Sequence, residues 1–465
     1  MPTPVSRVLN SAQPRRTNVV NGRPAPSVVT ELELSGLHDS LTAPVSESMN
    51  FLNEIAQRFP DAISLAAGRP FEGFFDPADV HRYFDVYREH LTTRLGGDEA
   101  AVRQTLLQYG RTKGIIHELI AEHLRVDEGI TADPQALVVT VGCQEALYLT
   151  LRALRRTDRD VLLAVTPSYV GAHGAARLAD MRVLPVRESA EGIDLTDLSA
   201  QVARARAAGL NPRACYVIPD FANPSGLRLS LEARRRLLEI AAEEDLLILE
   251  DNPYGLFGDP GGPPTVKALD TTARVVYLGS FAKTGLPGAR VGYVLADQRV
   301  AGTDGTLADQ LAKIKSMLTV NTSPIAQAVI GGKLLAHQGS LRAANVRETA
   351  HYRANLAHVL SGLERRFGRA AGTSPDGAGG HPSGVSWNVP AGGFFLLLTV
   401  PFPAGDELLE VSAEKFRVLW TPVHHFYADA QPRNVMRLSF SHLRPEEIEE
   451  GLNRLADFIR YCCRD

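Results

Sequence analysis

Lys283 stands where the apolar run Tyr277-Leu278-Gly279-Ser280-Phe281-Ala282 gives way to a loop punctuated by Gly285, Pro287 and Gly288 and followed by Arg290. A strand that ends in small residues and then presents one amine on a constrained loop gives that amine a fixed, crowded setting. A lysine held so can form a Schiff base with an aldehyde cofactor. Two apolar runs upstream end in the same manner. Cys215-Tyr216-Val217-Ile218 breaks at Pro219 and leads to Asn223-Pro224-Ser225-Gly226, and Leu246-Leu247-Ile248-Leu249 leads to Glu250-Asp251-Asn252-Pro253-Tyr254. Each reads as a buried strand stopped by turn formers, with Asn223, Asp251 and Tyr254 at its exit.

Between those two runs, Leu229 to Glu244 is rich in Leu, Ala, Glu and Arg at helical spacing. The unit is strand, helix, strand, and parallel sheets place ligands at the carboxyl ends of their strands. Asn223, Asp251, Tyr254 and Lys283 therefore fall on one edge. Two more strand exits belong to it. Ala136 to Val141 runs into Gly142 and then the apolar-periodic stretch Cys143-Gln144-Glu145-Ala146-Leu147, a helix N-terminus suited to a phosphate. Val165-Thr166-Pro167-Ser168 leads to Tyr169.

In this order and spacing the motifs resemble class I/II aminotransferases of pyridoxal phosphate fold type I, from about residue 47 to the C-terminus. The resemblance implies that Lys283 carries pyridoxal 5'-phosphate. It implies that Asp251 faces the pyridine nitrogen, that Asn223 and Tyr254 bond the ring hydroxyl, and that Tyr169 stacks on the ring. Gly142, the amides of Cys143 and Gln144, Ser280 and Arg290 would hold the phosphate. Ala282 departs from the common pattern, in which a serine is frequent. Gln108-Tyr109-Gly110 resembles the segment whose tyrosine reaches the phosphate of the neighbouring subunit, which implies a homodimer with shared active sites. Arg437, in Asn434-Val435-Met436-Arg437-Leu438-Ser439, is similar to the family's arginine for the substrate α-carboxylate, and it follows the landmark Pro390-Ala391-Gly392-Gly393-Phe394-Phe395. Ala66-Ala67-Gly68-Arg69-Pro70 resembles the loop over the substrate, with Gly68 and Arg69 as contacts.

In Trp420-Thr421-Pro422-Val423-His424-His425-Phe426-Tyr427, the glycine that commonly follows the proline is missing. Read as extended, the segment would point His424 and His425 to opposite faces, which argues against a two-histidine metal site, and no metal is expected. His425 and Tyr427 are candidates to line a pocket for an aromatic or phenolic group. Together with Gly68-Arg69-Pro70 and Gly279 to Lys283, the segment is similar to phenylglycine-type transaminases (3,5-dihydroxyphenylglycine or 4-hydroxyphenylglycine), which supply peptide antibiotics. Transfer of an amino group between an amino acid and a 2-oxo acid by a ping-pong route is the implied activity. Open alternatives are a 2-aminoadipate or general aromatic aminotransferase, a lyase, decarboxylase or oxidase on the same fold, and an aminotransferase-like regulatory module.

Composition is that of a globular protein, with 44% hydrophobic and 22% charged residues among 465. A net charge of -4 gives no case for nucleic acid or an anionic membrane. Four cysteines lack zinc-finger or disulfide-framework spacing, and no apolar run suits a membrane span or a signal peptide, so a cytoplasmic protein is expected. The expected architecture is α/β: a large, doubly wound, mostly parallel sheet domain over 91–340, and a smaller α/β domain formed by 47–90 with 341–465. Residues 1–46 are expected to form an extension or arm, partly disordered. A long helix is expected over Leu341 to Phe367, a loop over Ala370 to Gly384, and a final helix over Pro445 to Tyr461.

Overall fold

Apolar runs that lack alternation become strands covered on both faces. The computed structural model describes residues 30–43, 48, 51, 54–368, 384–428 and 431–464. It divides into two units, Met1–Thr42 and Ala43–Asp465. The described part of the first carries two short 3-10 turns, Leu34–Gly36 and Asp39–Thr42. The rest of the expected N-terminal arm lies outside the described residues, as does the loop expected before Gly384.

In the second unit a helical stretch over 54–58 and a short strand, β1 (Ile63–Ser64), precede one seven-stranded sheet. Its strands are β2 (Leu137–Thr140), β3 (Asp160–Thr166), β4 (Arg182–Arg187), β5 (Asn211–Val217), β6 (Leu247–Asp251), β7 (Val275–Ser280) and β8 (Gly292–Leu295). They lie in the order β2-β8-β7-β6-β5-β3-β4, and only β8 runs against its neighbours. Successive residues of one strand enter different cores: Leu249 packs with Leu147 and Val276 on one face, Ile248 with Leu237 and Val275 on the other. The helix expected between β5 and β6 spans Leu231–Glu243, and the Ser230 hydroxyl caps it by accepting from the Ala233 amide at 3.1 Å.

A second, antiparallel sheet joins β9 (Ser386–Trp387), β10 (Phe395–Thr399), β12 (Thr421–Pro422) and β13 (Val435–Ser439) in the order β12-β13-β10-β9, while β11 (Val418–Leu419) pairs in parallel with β1. The helices Val346–Phe367 and Pro445–Cys462 share a core with it around Trp420, Leu452 and Phe458. The β1 pairing laces residues near the N-terminus onto this region. The Ser439 amide donates to Leu65 O at 2.7 Å and its hydroxyl to Ala67 O at 2.9 Å.

Two expected elements differ. The helix expected over Leu341 to Phe367 is broken into Leu341–Ala344 and Val346–Phe367, because buried Asn345 turns its side-chain amide to Leu341 O at 2.7 Å and Thr284 O at 2.8 Å. The segment Val423–Phe426, expected to be extended, coils into a 3-10 turn. Its two histidines consequently meet one carboxylate instead of diverging, so the reason for excluding a metal there fails.

Candidate active site

The carboxyl ends of β2, β3, β5, β6 and β7 meet at one edge of the large sheet, and β8, running the other way, brings its amino end to the same edge. The pairing of Gly292 with both Ser280 and Thr140 thereby sets Arg290 beside Ser280 and Gly142. A cavity of about 270 Å³ opens there, lined by Cys143, Gln144, Tyr169, Asn223, Asp251, Tyr254, Ser280, Lys283 and Arg290 from the sheet side, and by Gly68, Phe395, Phe426 and Arg437 from the other side. Gly142 adopts φ +71°, and a Cβ there would stand 2.7 Å from Arg290 Nη2. Only glycine lets the guanidinium close over the N-terminus of the helix Gly142–Leu154, where backbone amides and a cation make a cradle for an anion.

Lys283 Nζ donates to Gly68 O at 2.9 Å. Burial, then the Arg437 and Arg290 guanidiniums, push its pKa down to about 8, with Asp251 acting against them. The amine is therefore partly uncharged near neutrality, as a nucleophile requires. The loop behind it is pinned by Asn345 and by Lys333, whose amine donates to Thr284 O at 3.0 Å. Asp251 accepts from the Tyr216 hydroxyl at 2.7 Å and from the Cys143 thiol at 3.5 Å. Burial raises its pKa to about 6, opposed by those two hydrogen bonds and by Lys283.

Arg437 is 5% exposed and has no carboxylate partner among the described residues. It donates to Asn223 Oδ1 at 2.8 Å, Thr421 Oγ1 at 3.0 Å and Ala66 O at 2.5 Å, and lies between the Phe395 and Phe426 rings, 4.4 and 5.0 Å from their centroids. Its Nε is buried with no partner among the described residues, and burial lowers its pKa to about 10. A buried guanidinium without a counter-charge is a binding site for a carboxylate.

Of the residues singled out from the sequence, Gly142 adjoins the lining behind Arg290, and four others stand apart from it. Tyr109 is 85% exposed. Arg69 pairs with Glu72 at 3.1 Å. His425 is held by Ser48 and Asp406, and Tyr427 lies beneath the Arg433 guanidinium, 3.7 Å from its ring centroid. From the segment His424 to Tyr427 it is Phe426 that lines the cavity. Tyr216 and Thr421 support the site and carry no local motif. Only strand pairing reveals them: Tyr216 lies opposite Leu249, two residues before Asp251, and Thr421 lies opposite Arg437.

Residues 88–455 match the family model for aminotransferase class I and II. The chain belongs to that family. The aminotransferase is 55% identical to the (S)-3,5-dihydroxyphenylglycine transaminase of Amycolatopsis orientalis, across 92% of this chain and 95% of that one. Among solved structures it is similar to the Pyrococcus horikoshii kynurenine aminotransferase in complex with PMP (TM-score 0.72, 28% identity, covering 90% of this chain and 94% of that one). It is also similar to the α-aminoadipate aminotransferase of Thermus thermophilus, complexed with N-(5'-phosphopyridoxyl)-L-leucine (TM-score 0.74, 28% identity, covering 92% and 98%). The aminotransferase depends on pyridoxal 5'-phosphate and moves an amino group between an amino acid and a 2-oxo acid. No helix among its described residues is long and apolar enough to cross a membrane.

The residues present fit that cofactor. The anion cradle that a Cβ at position 142 would fill, the buried carboxylate of Asp251 and the enclosed amine of Lys283 line the same cavity or its wall, and the unpartnered Nε of Arg437 marks room for a second anion.

Proposed function

We propose that this aminotransferase acts on an amino acid whose α-carbon bears an aryl group, a phenylglycine such as (S)-3,5-dihydroxyphenylglycine, and exchanges its amino group with a 2-oxo acid by a ping-pong route. The 55% identity to a transaminase of that substrate, over nearly the whole chain, carries this reading. The cavity supports it. Val170, Ile218, Phe395 and Phe426 give it an apolar wall, and its charged lining residues are Asp251, Lys283, Arg290 and Arg437. With Arg290 at the anion cradle and Arg437 at the α-carboxylate, the distal carboxylate of an acidic substrate such as 2-aminoadipate finds no further cation in that lining.

Pyridoxal phosphate, when bound, supplies an electrophilic carbonyl carbon and a ring that accepts electrons from the substrate α-carbon. Lys283 would hold the cofactor through Nζ, and that nitrogen, once the substrate amine has taken its place, would move the proton of the substrate α-carbon. Asp251, its charge sustained by Tyr216 and Cys143, would keep the ring nitrogen protonated. Asn223 and Tyr254 would bond the ring hydroxyl, Tyr169 would cover the ring, and Gly142, Cys143, Gln144, Ser280 and Arg290 would hold the phosphate. Arg437 grips the substrate carboxylate, its fork oriented by Asn223, Thr421 and Ala66. Gly68, whose carbonyl accepts from Lys283, lies beside the incoming amine.

The proposal extends to a homodimer, in which Tyr109, exposed on its own subunit, reaches the neighbouring phosphate. The free thiols of Cys143, Cys215 and Cys463 support a reducing compartment, the cytoplasm. A single-turnover screen tests the substrate reading. The purified pyridoxal form is mixed with phenylglycines, aromatic amino acids and 2-aminoadipate without an acceptor, and released 2-oxo acid is counted per active site. One equivalent from phenylglycines is the expected result. Release only from acidic amino acids sinks the aryl reading, and release of ammonia or carbon dioxide instead sinks transamination.

A further inference from the structure

The coil of Val423–Phe426 turns His424 and His425 toward Asp406, the first residue of the short helix Asp406–Val411. The two imidazole centroids are 4.2 Å apart. His425 Nε2 stands 2.9 Å from Asp406 Oδ1 and His424 Nε2 stands 3.5 Å from Oδ2. One ligand atom from each of the three residues falls within 4.8 Å of the others. Both histidines are buried, at 5% and 8% exposure, whereas the Asp406 side chain is 47% exposed and leaves an entry route from solvent. None of the three lines the active cavity.

We propose that Asp406, His424 and His425 bind one divalent cation of borderline character, of which zinc is the type. Two imidazole nitrogens and one carboxylate oxygen form the donor set of zinc, cobalt(II) and nickel(II), whereas calcium and magnesium take shells made of oxygen. Zinc bonds of roughly 2.0–2.2 Å in tetrahedral array put neighbouring donors about 3.3–3.5 Å apart. The present separations of 2.9 and 3.5 Å, each to its own oxygen of Asp406, bracket that spacing, and the three ligand atoms lie within 4.8 Å of one another. In the bound form each coordinating Nε2 carries no proton, which then resides on Nδ1. His425 Nδ1 already faces Ser48 Oγ at 2.8 Å, the outer hydrogen bond that orients a ligating histidine. His424 Nδ1 is buried without a partner among the described residues, so no neighbour there holds its ring against the change.

The fourth position, on the side of half-exposed Asp406, is open to water. The ion ties the helix Asp406–Val411 to the turn that carries Phe426, whose carbonyl accepts from the Ser168 amide at 3.0 Å beside Tyr169. The site is thus structural and sits one residue from the wall of the substrate cavity.

Full-length holoenzyme, prepared without a histidine tag, stripped with a chelator and titrated with cobalt(II), tests the proposal. The expected result is one cobalt per chain lost in Asp406→Asn and in His425→Ala, with visible ligand-field bands in the wild type that zinc abolishes. Ser48→Ala is expected to weaken binding by about 10–100-fold, the usual cost of an outer-shell partner. His358→Ala, an exposed histidine elsewhere, keeps full binding. All variants carry the cofactor, so its own affinity for metals cancels in the comparison. If His425→Ala does not fold, Asp406→Asn, nearly isosteric and half-exposed, decides alone. No cobalt bound by the wild type, or unchanged binding in Asp406→Asn, overturns the proposal.

Discussion

The two walls of the cavity are built in different ways. The wall at the large sheet is a row of strand exits, where Tyr169, Asn223, Asp251 with Tyr254, and Lys283 follow or close β3, β5, β6 and β7 in turn. The opposite wall is assembled from pieces far apart in the chain: Gly68 after β1, Phe395 on β10, Phe426 after β12 and Arg437 on β13. The hydrogen bond from Ser439 to Ala67 that seams it joins residues 372 apart. The first wall follows from a local rule about parallel strands. The second exists only once the chain has closed on itself, and it is the one that grips the substrate in the proposed reading.

Substitutions can separate the walls, beginning with the severest. Lys283→Ala should reduce turnover to background and abolish the borohydride-fixed link between cofactor and chain, as read by mass; surviving turnover would end the proposed role of the sheet-side wall. Arg437→Ala should lower kcat/KM by about 10²–10³-fold, the cost of removing one partner of a buried charge pair. Lysine should not rescue it, because it cannot reproduce the fork to Asn223, Thr421 and Ala66. Cofactor retention should stay unchanged in both Arg437 variants, and its loss would mean that the two walls do not act separately.

The pH dependence gives a smaller signal. The free amine is the reactive form of Lys283, and its pKa is lowered from 10.5 to about 8. Covalent capture of pyridoxal phosphate by the apoenzyme should therefore rise with pH, reach half its maximum near 8 and level off above it; a midpoint near 10.5 would contradict the effect of burial and of the Arg437 and Arg290 charges. Tyr216→Phe removes one hydrogen bond to the Asp251 carboxylate and should lower kcat by about tenfold, for a charge-assisted bond of roughly 1.5 kcal/mol, with KM little changed. Ala282→Ser is the mildest. A hydroxyl in that lining position should slow cofactor loss a few-fold, by roughly 0.5–1.5 kcal/mol.

Much of the first wall was legible because its signals are short-range. An apolar run, a proline or glycine, and a polar residue report a buried strand and its exit without reference to the rest of the chain. The break at Asn345 was not legible, since Ala, Leu and Arg around it favour a continuous helix and the competing bond to Thr284 comes from a distant loop. The coil at Val423–Phe426 was likewise hidden. The segment follows two short strands, and a period of two would part its histidines, yet the structure turns both to Asp406, and Phe426 instead of His425 or Tyr427 enters the cavity.

The sequence by itself determined the α/β class and the row of strand exits that includes Lys283, because periodicity and turn chemistry act over a few residues; its resemblance to a known family implied the cofactor. Tertiary structure alone decided that Arg437 stays buried without a counter-charge among the described residues, that Tyr216 supports Asp251, and that Asp406, His424 and His425 converge. Those arrangements depend on strand pairing and core packing between segments remote in the chain, and no local pattern encodes the distance between them.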